Sequence, residues 1–310
     1  MPASPTSNGM IQAVPIRAAI IIASKGRPEL VPLMLEQLEA QSQRPARVIY
    51  SVHQESDIGA RPTCTLPVEY VFGPPGSTIQ RNSALRTLGD GIDVVIFFDD
   101  DFVPSKFWVE RVLAIFERLD VVAVTGHVVW DGAQSPGTSW SAGLEIVVAR
   151  DAAVSAGAAV EPDLRENAIL YGCNMAMRLS ALRDIGFDER LVLYGWLEDR
   201  DVSVRLSKLG KVCTSRDVWG VHLGMKTGRT PGVRLGYSQV VNPWYLHHKG
   251  TMTCRQAAGS ILRPLAANLV KSFFPEEYID RRGRLKGNLL GLLELFRYRK
   301  NCRPEYAASL

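Results

Sequence analysis

No apolar run in the 310-residue chain approaches the roughly 20 residues that a membrane-spanning helix needs; the longest, Ala18–Ala23 and Leu289–Leu293, are far too short. The first seventeen residues have neither a basic start nor an apolar stretch, so 1–17 reads as a disordered leader rather than a secretion signal. Cysteine is sparse and scattered. Cys64, Cys173, Cys213, Cys254 and Cys302 are odd in number and form no C-x-x-C pair, which argues against a disulfide framework and a zinc knot and for a cytoplasmic location. Charge of one sign is also lacking: 36 Lys and Arg stand against 32 Asp and Glu, a net +4, too mild a bias for a dedicated nucleic-acid binder. No internal repeat of fixed period is found.

What is present is an ordinary globular composition, 46% hydrophobic and 22% charged. The length allows one large α/β domain or two ordinary ones, and one catalytic domain plus an appendage fits it. Ala18–Ala23 is a β-branched strand signal, followed by a Ser-Lys-Gly-Arg-Pro turn at 24–28 and helical spacing over Glu29–Gln41. A strand at 46–52 completes a βαβ unit. Strand 68–72, a Gly-Pro-Pro-Gly-Ser turn, helix 78–88 and strand 93–98 repeat the pattern. This alternation predicts a parallel sheet covered by helices on both faces, with ligands at the carboxyl ends of the strands. Helix 105–118 and strand 121–129 follow. The Gly-, Ala- and Ser-rich stretch 131–166 reads as a loop-rich insertion, and ordered signal resumes over 168–177, a helix at 179–185 and another from Glu198 to near Gly210.

The polar residues after the fourth strand are Asp99, Asp100 and Asp101. Three adjacent carboxylates repel one another and are costly to desolvate, so they call for a cation or an array of donors. In an extended segment Asp99 and Asp101 point the same way and Asp100 the other. A solvated acidic strand end, with Asp101 capping the next helix, is the simpler alternative.

The segment Phe97–Pro104 resembles the D-x-D region of inverting, nucleotide-sugar-dependent glycosyltransferases of family 2, which have the GT-A fold. Ile22–Leu30 is similar to that family's first strand and turn, and Gly76–Leu85 to its G-x-x-x-x-R-N-x-x-L element. Gly172–Arg178, Gly186–Arg190 and Glu198–Leu206 follow in the family's order. The resemblance implies an α/β GT-A catalytic domain over 18–250, with a nucleotide-sugar-binding half (18–105) and an acceptor half (106–250). It further implies a hexosyltransferase that uses Mn2+ or Mg2+ and a UDP-, GDP- or dTDP-sugar. The acceptor would be a saccharide or lipid-linked saccharide of bacterial surface-polysaccharide assembly. A sugar-phosphate nucleotidylyltransferase, or an inactive adaptor of the same fold, is the alternative.

Carried over residue by residue, the resemblance puts Asp101 and Asp99 at the metal and Asp99 and Asp100 near the donor, with Ser24, Arg27 and Arg81 beside it. Arg81 would meet either phosphate or an acidic neighbour. The family's base-reading aspartate turn is replaced by Val52–Asp57, so Glu55 and Asp57 are either substitutes or a solvated loop. Asp199 is implied as the general base, taking the acceptor's proton, with Glu198 orienting the acceptor or Asp199; helix starts also favour carboxylates for the dipole alone. Trp196 is an acceptor platform or a core residue. His222 is a third metal ligand or a structural histidine, and Lys226 and Arg229 in the loop beyond it would close on the diphosphate.

From Thr251 onward eleven Lys and Arg face five Asp and Glu, so 251–310 is a basic helical tail. Leu285, Leu289, Leu292, Leu293 and Phe296 share one helical face edged by Arg284, Lys286, Arg297, Arg299 and Lys300. That pattern suits an anionic inner-leaflet surface. Gly283, Gly287 and Gly291 at i+4 steps suit helix packing or a homodimer instead.

Overall fold

The computed structural model describes residues 15–155, 164–228, 230–298 and 301–310. Most of the expected leader (1–14), Arg229, Arg299 and Lys300 lie outside the described residues. Ile16 packs against the core, and the Arg17 backbone N–H donates to Asp93 Oδ2 at 2.8 Å.

The first half follows the alternation of the sequence: β1 (Ala18–Ala23), α1 (Leu30–Glu39), β2 (Arg47–Val52), β3 (Val68–Phe72), α2 (Ser77–Leu85) and β4 (Val94–Asp99). These strands pair in parallel in the order β3-β2-β1-β4. Successive side chains of a strand point to opposite faces. Ile20, Ile22, Val48, Tyr50, Ile96 and Phe98 therefore join α1 and α3 (Trp108–Phe116) in one core. Ile21, Ile49, Val95 and Phe97 meet the helices on the other face. Each fully buried large apolar side chain contributes about 1.5–3 kcal/mol.

Beyond β4 the sheet is mixed, not parallel as the alternation predicts. It continues through β8 (Asn174–Arg178), β6 (Val121–Asp131), β9 (Lys211–His222) and β5 (Phe102–Pro104), with β7 (Leu164–Glu166) beside β9. The chain re-enters from the far end after a long excursion, so β8 runs antiparallel to both neighbours. That excursion is also not all loop, because it contains α4 (Trp140–Ser155). Only Gly143, Val147 and Asp151 of α4 are buried, while Ile146 and Val148 face outward. Apolar residues all round the axis left no periodic stripe to read. Of residues 168–177, where ordered signal is expected to resume, 168–173 are irregular and the strand begins at Asn174.

After α5 (Leu179–Leu182) and α6 (Glu198–Leu206) come three long helices, α7 (Gly232–Lys249), α8 (Cys254–Lys271) and α9 (Arg281–Tyr298). The glycine edge of α9 faces α7: a Cβ on Gly287 would collide with the Val233 carbonyl, and one on Gly236 with that of Arg284. Asn268 Nδ2 donates to Gln239 Oε1 (3.0 Å) and Asn288 Oδ1 (2.9 Å), joining α8 to both partners through buried amides. The leucine face of α9 points outward, with Leu289, Leu293 and Phe296 exposed, the last at 85%. Among the described residues no helix is long and apolar enough to cross a membrane.

Candidate active site

Asp99 ends β4, and the chain turns through Asp100 and Asp101 into β5, which pairs antiparallel with β9 so that Phe102 lies opposite His222. This pairing, invisible in the sequence, carries His222 to the acidic turn. Ligand atoms of Asp99, Asp101 and His222 lie within 4.8 Å of one another. The Asp101 carbonyl accepts from Leu223 N–H (2.9 Å) and its Oδ2 from Met225 N–H (2.8 Å), so the loop after β9 is fastened to the same turn.

Asp100 faces the other way. Its carboxylate accepts from Ser24 Oγ (2.7 Å) and Arg27 Nη1 (2.5 Å). Arg27 Nη1 also lies 3.4 Å from Asp101 Oδ2. The same guanidinium donates to the Thr227 carbonyl at 2.8 Å and 2.9 Å. Arg27 therefore neutralises part of the acidic cluster and holds the loop after β9. Burial lifts Asp100 to about 6 against the opposing pull of Arg27. Lys226 Nζ donates to the Gly132 carbonyl at 3.0 Å and lies over the Tyr278 ring. In the β2 turn Asp57 accepts from the N–H groups of Gly26, His53 and Gln54, and Glu55 pairs with Arg61. Asp57 is thereby committed to backbone donors of this turn and of the turn after β1, while the Glu55–Arg61 pair is exposed.

The other wall is α6. Its entry is a tight segment in which Leu193, Gly195 and Leu197 all have left-handed backbone, φ 59°, 70° and 74°. Such a conformation costs a non-glycine residue about 1–2 kcal/mol, and it persists where surrounding bonds impose it. Here Ser77 N–H and Thr78 Oγ1, at the start of α2, donate to the carbonyls of Leu193 (2.8 Å) and Leu191 (2.9 Å). The turn presents Tyr194, 53% exposed, with its ring 6.4 Å from that of Trp196. The indole N–H of Trp196 is shielded from solvent and has no hydrogen-bond partner among the described residues.

Glu198 and Asp199 open α6, and Arg81 ties them to the acidic turn. Its guanidinium, 2% exposed, donates to Glu198 Oε1 (2.7 Å), Asp99 Oδ1 (3.0 Å) and the Gly172 carbonyl (2.9 Å). Of the two partners its sequence suggested, Arg81 meets acidic neighbours. Asp199 accepts from the N–H groups of Arg200 (2.7 Å) and Gly172 (3.2 Å). Gly172 also leaves room for Glu198, since a Cβ there would stand 3.1 Å from Glu198 Oε1. Burial, and then repulsion from Asp199, raises Glu198 to about 8 despite Arg81. Burial also raises Asp199, its two backbone donors opposing. Two adjacent buried carboxylates are thereby biased toward keeping a proton in the pair over carrying two charges.

His222 has an attachment that sequence reasoning missed. Its Nδ1 lies 2.9 Å from Asp131 Oδ1, at the end of β6, and Asp131 Oδ2 accepts from Tyr171 OH at 2.7 Å. Burial opposes charge on His222, but the bonds to Asp101 and Asp131 prevail and lift it to about 10. Two hard carboxylates and an imidazole, with a carboxylate behind the imidazole, suit Mn2+ or Mg2+.

No family model matches the chain, and no curated protein does. Among solved structures it is similar to a mannosyltransferase from Pyrobaculum calidifontis in complex with GDP-Man and Mn2+, at 14% identity, over 92% of this chain and 91% of that one, with a TM-score of 0.50. It also matches residues 1–349 of S. aureus TarS at 15% identity, over 95% of this chain and 87% of that one, with a TM-score of 0.48. The fold is accordingly a GT-A-type α/β fold with a helical carboxyl-terminal region.

Proposed function

We propose that the protein is a metal-dependent, inverting glycosyltransferase of the family 2 kind, transferring a hexose from a UDP-, GDP- or dTDP-sugar to a saccharide or lipid-linked saccharide of bacterial surface glycan assembly. One observation carries the reading: a cation-compatible Asp99–Asp101–His222 group and a buried Glu198–Asp199 pair face one site, with Arg81 bonded to both.

A divalent ion held by Asp99, Asp101 and His222 would supply positive charge against a departing nucleoside diphosphate. The remaining work falls to the chain itself. Asp199 takes the acceptor hydroxyl proton at its carboxylate. Gly172 and Arg200 N–H groups hold that carboxylate in place. Glu198, held by Arg81, keeps its own proton and so leaves Asp199 as the charged member. Tyr194 and Trp196 offer the apolar face against which a sugar ring packs. Arg27 and Lys226 bring positive charge to the donor side, Ser24 and Asp100 orient Arg27, and Arg229, the residue after Gly228 in sequence, would add a further charge. The outward Leu289, Leu293 and Phe296, with Lys286 and Arg297 on the same helix, support peripheral contact with an anionic membrane.

Thermal shift with UDP-, GDP- and dTDP-sugars, each with and without Mn2+, tests the reading. A Mn2+-dependent rise in melting temperature with at least one donor is expected. No shift with any of them would refute a nucleotide-sugar site.

A further inference from the structure

We propose that Asp131 is a positioning residue for the candidate cation site, holding the Nδ1 side of the His222 imidazole so that Nε2 faces Asp99 and Asp101. The inference rests on the metal-dependent reading above, and it concerns a residue outside the motifs that suggested that reading.

The geometry begins in the backbone. β6 and β9 run parallel with Asp131 in register with His222. Gly132 N–H donates to the His222 carbonyl at 2.8 Å. This places the His222 side chain beside Asp131 at the strand end. One ring nitrogen, Nδ1, lies 2.9 Å from Asp131 Oδ1, while Nε2 lies 3.5 Å from Asp101 Oδ1. Asp131 accepts two further bonds, from Ala133 N–H (2.9 Å) and Tyr171 OH (2.7 Å). The Ala133 amide and the Tyr171 hydroxyl both direct hydrogens at this carboxylate, so it is arranged as an acceptor, and the Nδ1 contact is placed as a third donation to it. In the neutral imidazole that a cation requires, Nε2 is then the lone-pair nitrogen.

The Tyr171 ring stands edge-on to the imidazole, 5.9 Å between centroids at 88°, which limits rotation about the ring's own bond. Tyr171 is also followed by Gly172, whose N–H holds Asp199. Asp131 therefore lies between the side chains that face the cation and the segment that orients the base.

The test is Mn2+ affinity of the full chain, measured by EPR without donor, for wild type, Asp131→Asn, His222→Ala and the double variant. Loss of an outer partner of a metal-binding histidine weakens binding about 10- to 100-fold, and that is expected for Asp131→Asn. In the His222→Ala background the same change should alter affinity by less than about twofold, because the effect passes through the histidine. Wild-type affinity in Asp131→Asn, an equal loss in both backgrounds, or a wild type that binds no Mn2+ overturns the proposal. Should Asp131→Asn fail to fold, long-range 1H–15N spectra of the Zn2+-loaded wild type decide. A proton on Nδ1 of His222 is expected, and one on Nε2 overturns the inference. Absent sugar transfer with the Mn2+ pattern intact would refute the transferase reading alone.

Discussion

Replacing Arg81 with methionine probes the link between the two halves of the site. Methionine keeps much of the volume against Phe97 and Phe187, whose rings lie 5.9 Å and 5.4 Å from the guanidinium carbon, but it offers neither charge nor donors. Stripping one partner from a buried ion pair costs about 3–5 kcal/mol when the other stays charged. Glu198 need not stay charged, because burial and Asp199 already raise it to about 8. Without the opposing pull of Arg81 it rises further. In the unfolded chain it ionises at about 4.3. Between the unfolded and folded values the unfolded state has lost the proton and the folded state has kept it, so stability falls as pH rises, by about 1.4 kcal/mol per unit. That decline ends near pH 8 in the wild type and continues beyond it in the variant. The stability difference should therefore hold steady from pH 6 to 7, at about 1–3 kcal/mol for the lost hydrogen bonds. Between pH 8 and 9 it should widen by up to about 1.4 kcal/mol. Urea unfolding at each pH, followed by tryptophan fluorescence, measures it. A difference that stays constant up to pH 9 would refute a proton on Glu198.

Asp199→Asn should abolish sugar transfer while leaving donor affinity within about twofold, because the amide cannot accept the acceptor's proton; unchanged turnover in a single-turnover assay sinks the base assignment. Glu198→Gln replaces a carboxyl that keeps its proton up to about pH 8 with a neutral amide of the same shape, so the acid limb of the pH–rate profile should stay in place. A limb that moves down means that Glu198 is charged where Asp199 titrates. Gly287→Ala drives a methyl into the Val233 carbonyl and should destabilise by about 1–3 kcal/mol, read as a fall in urea midpoint; a neutral result would show that α7 and α9 are free to separate.

The first βαβ units were legible because burial on both faces of a parallel sheet writes continuous apolar runs such as Ala18–Ala23, and because loops there are short. The second half was harder. Nothing local in Phe102–Pro104 announces a strand, since its partner is β9, more than a hundred residues away. α4 has no polar face to mark its period. The site divides in the same way. Asp99, Asp100 and Asp101 stood out because polar residues at the carboxyl end of a strand are the ones to inspect. The same rule applied to β6 would have flagged Asp131, had the strand not been ended two residues early. Arg81's bond to Glu198 spans 117 positions, and no pattern of spacing encodes such a contact.

Asp201, fully buried in α6, takes bonds from Arg205 on its own helix, from Lys249 Nζ (2.8 Å) at the end of α7 and from Thr251 Oγ1 (2.9 Å) just beyond. Lys249 in turn bonds Asp188, which accepts from Tyr245 OH. The helix that carries Asp199 is thus bolted to the start of the basic region, and α9 packs on α7 behind it. Exchanging this helical region for that of another protein of the same fold would change the footing of Asp199 along with whatever the exchange was meant to alter. Chimeras between proteins of this fold should cross over within the strands ahead of α6, so that α6 through α9 travel as one inherited unit.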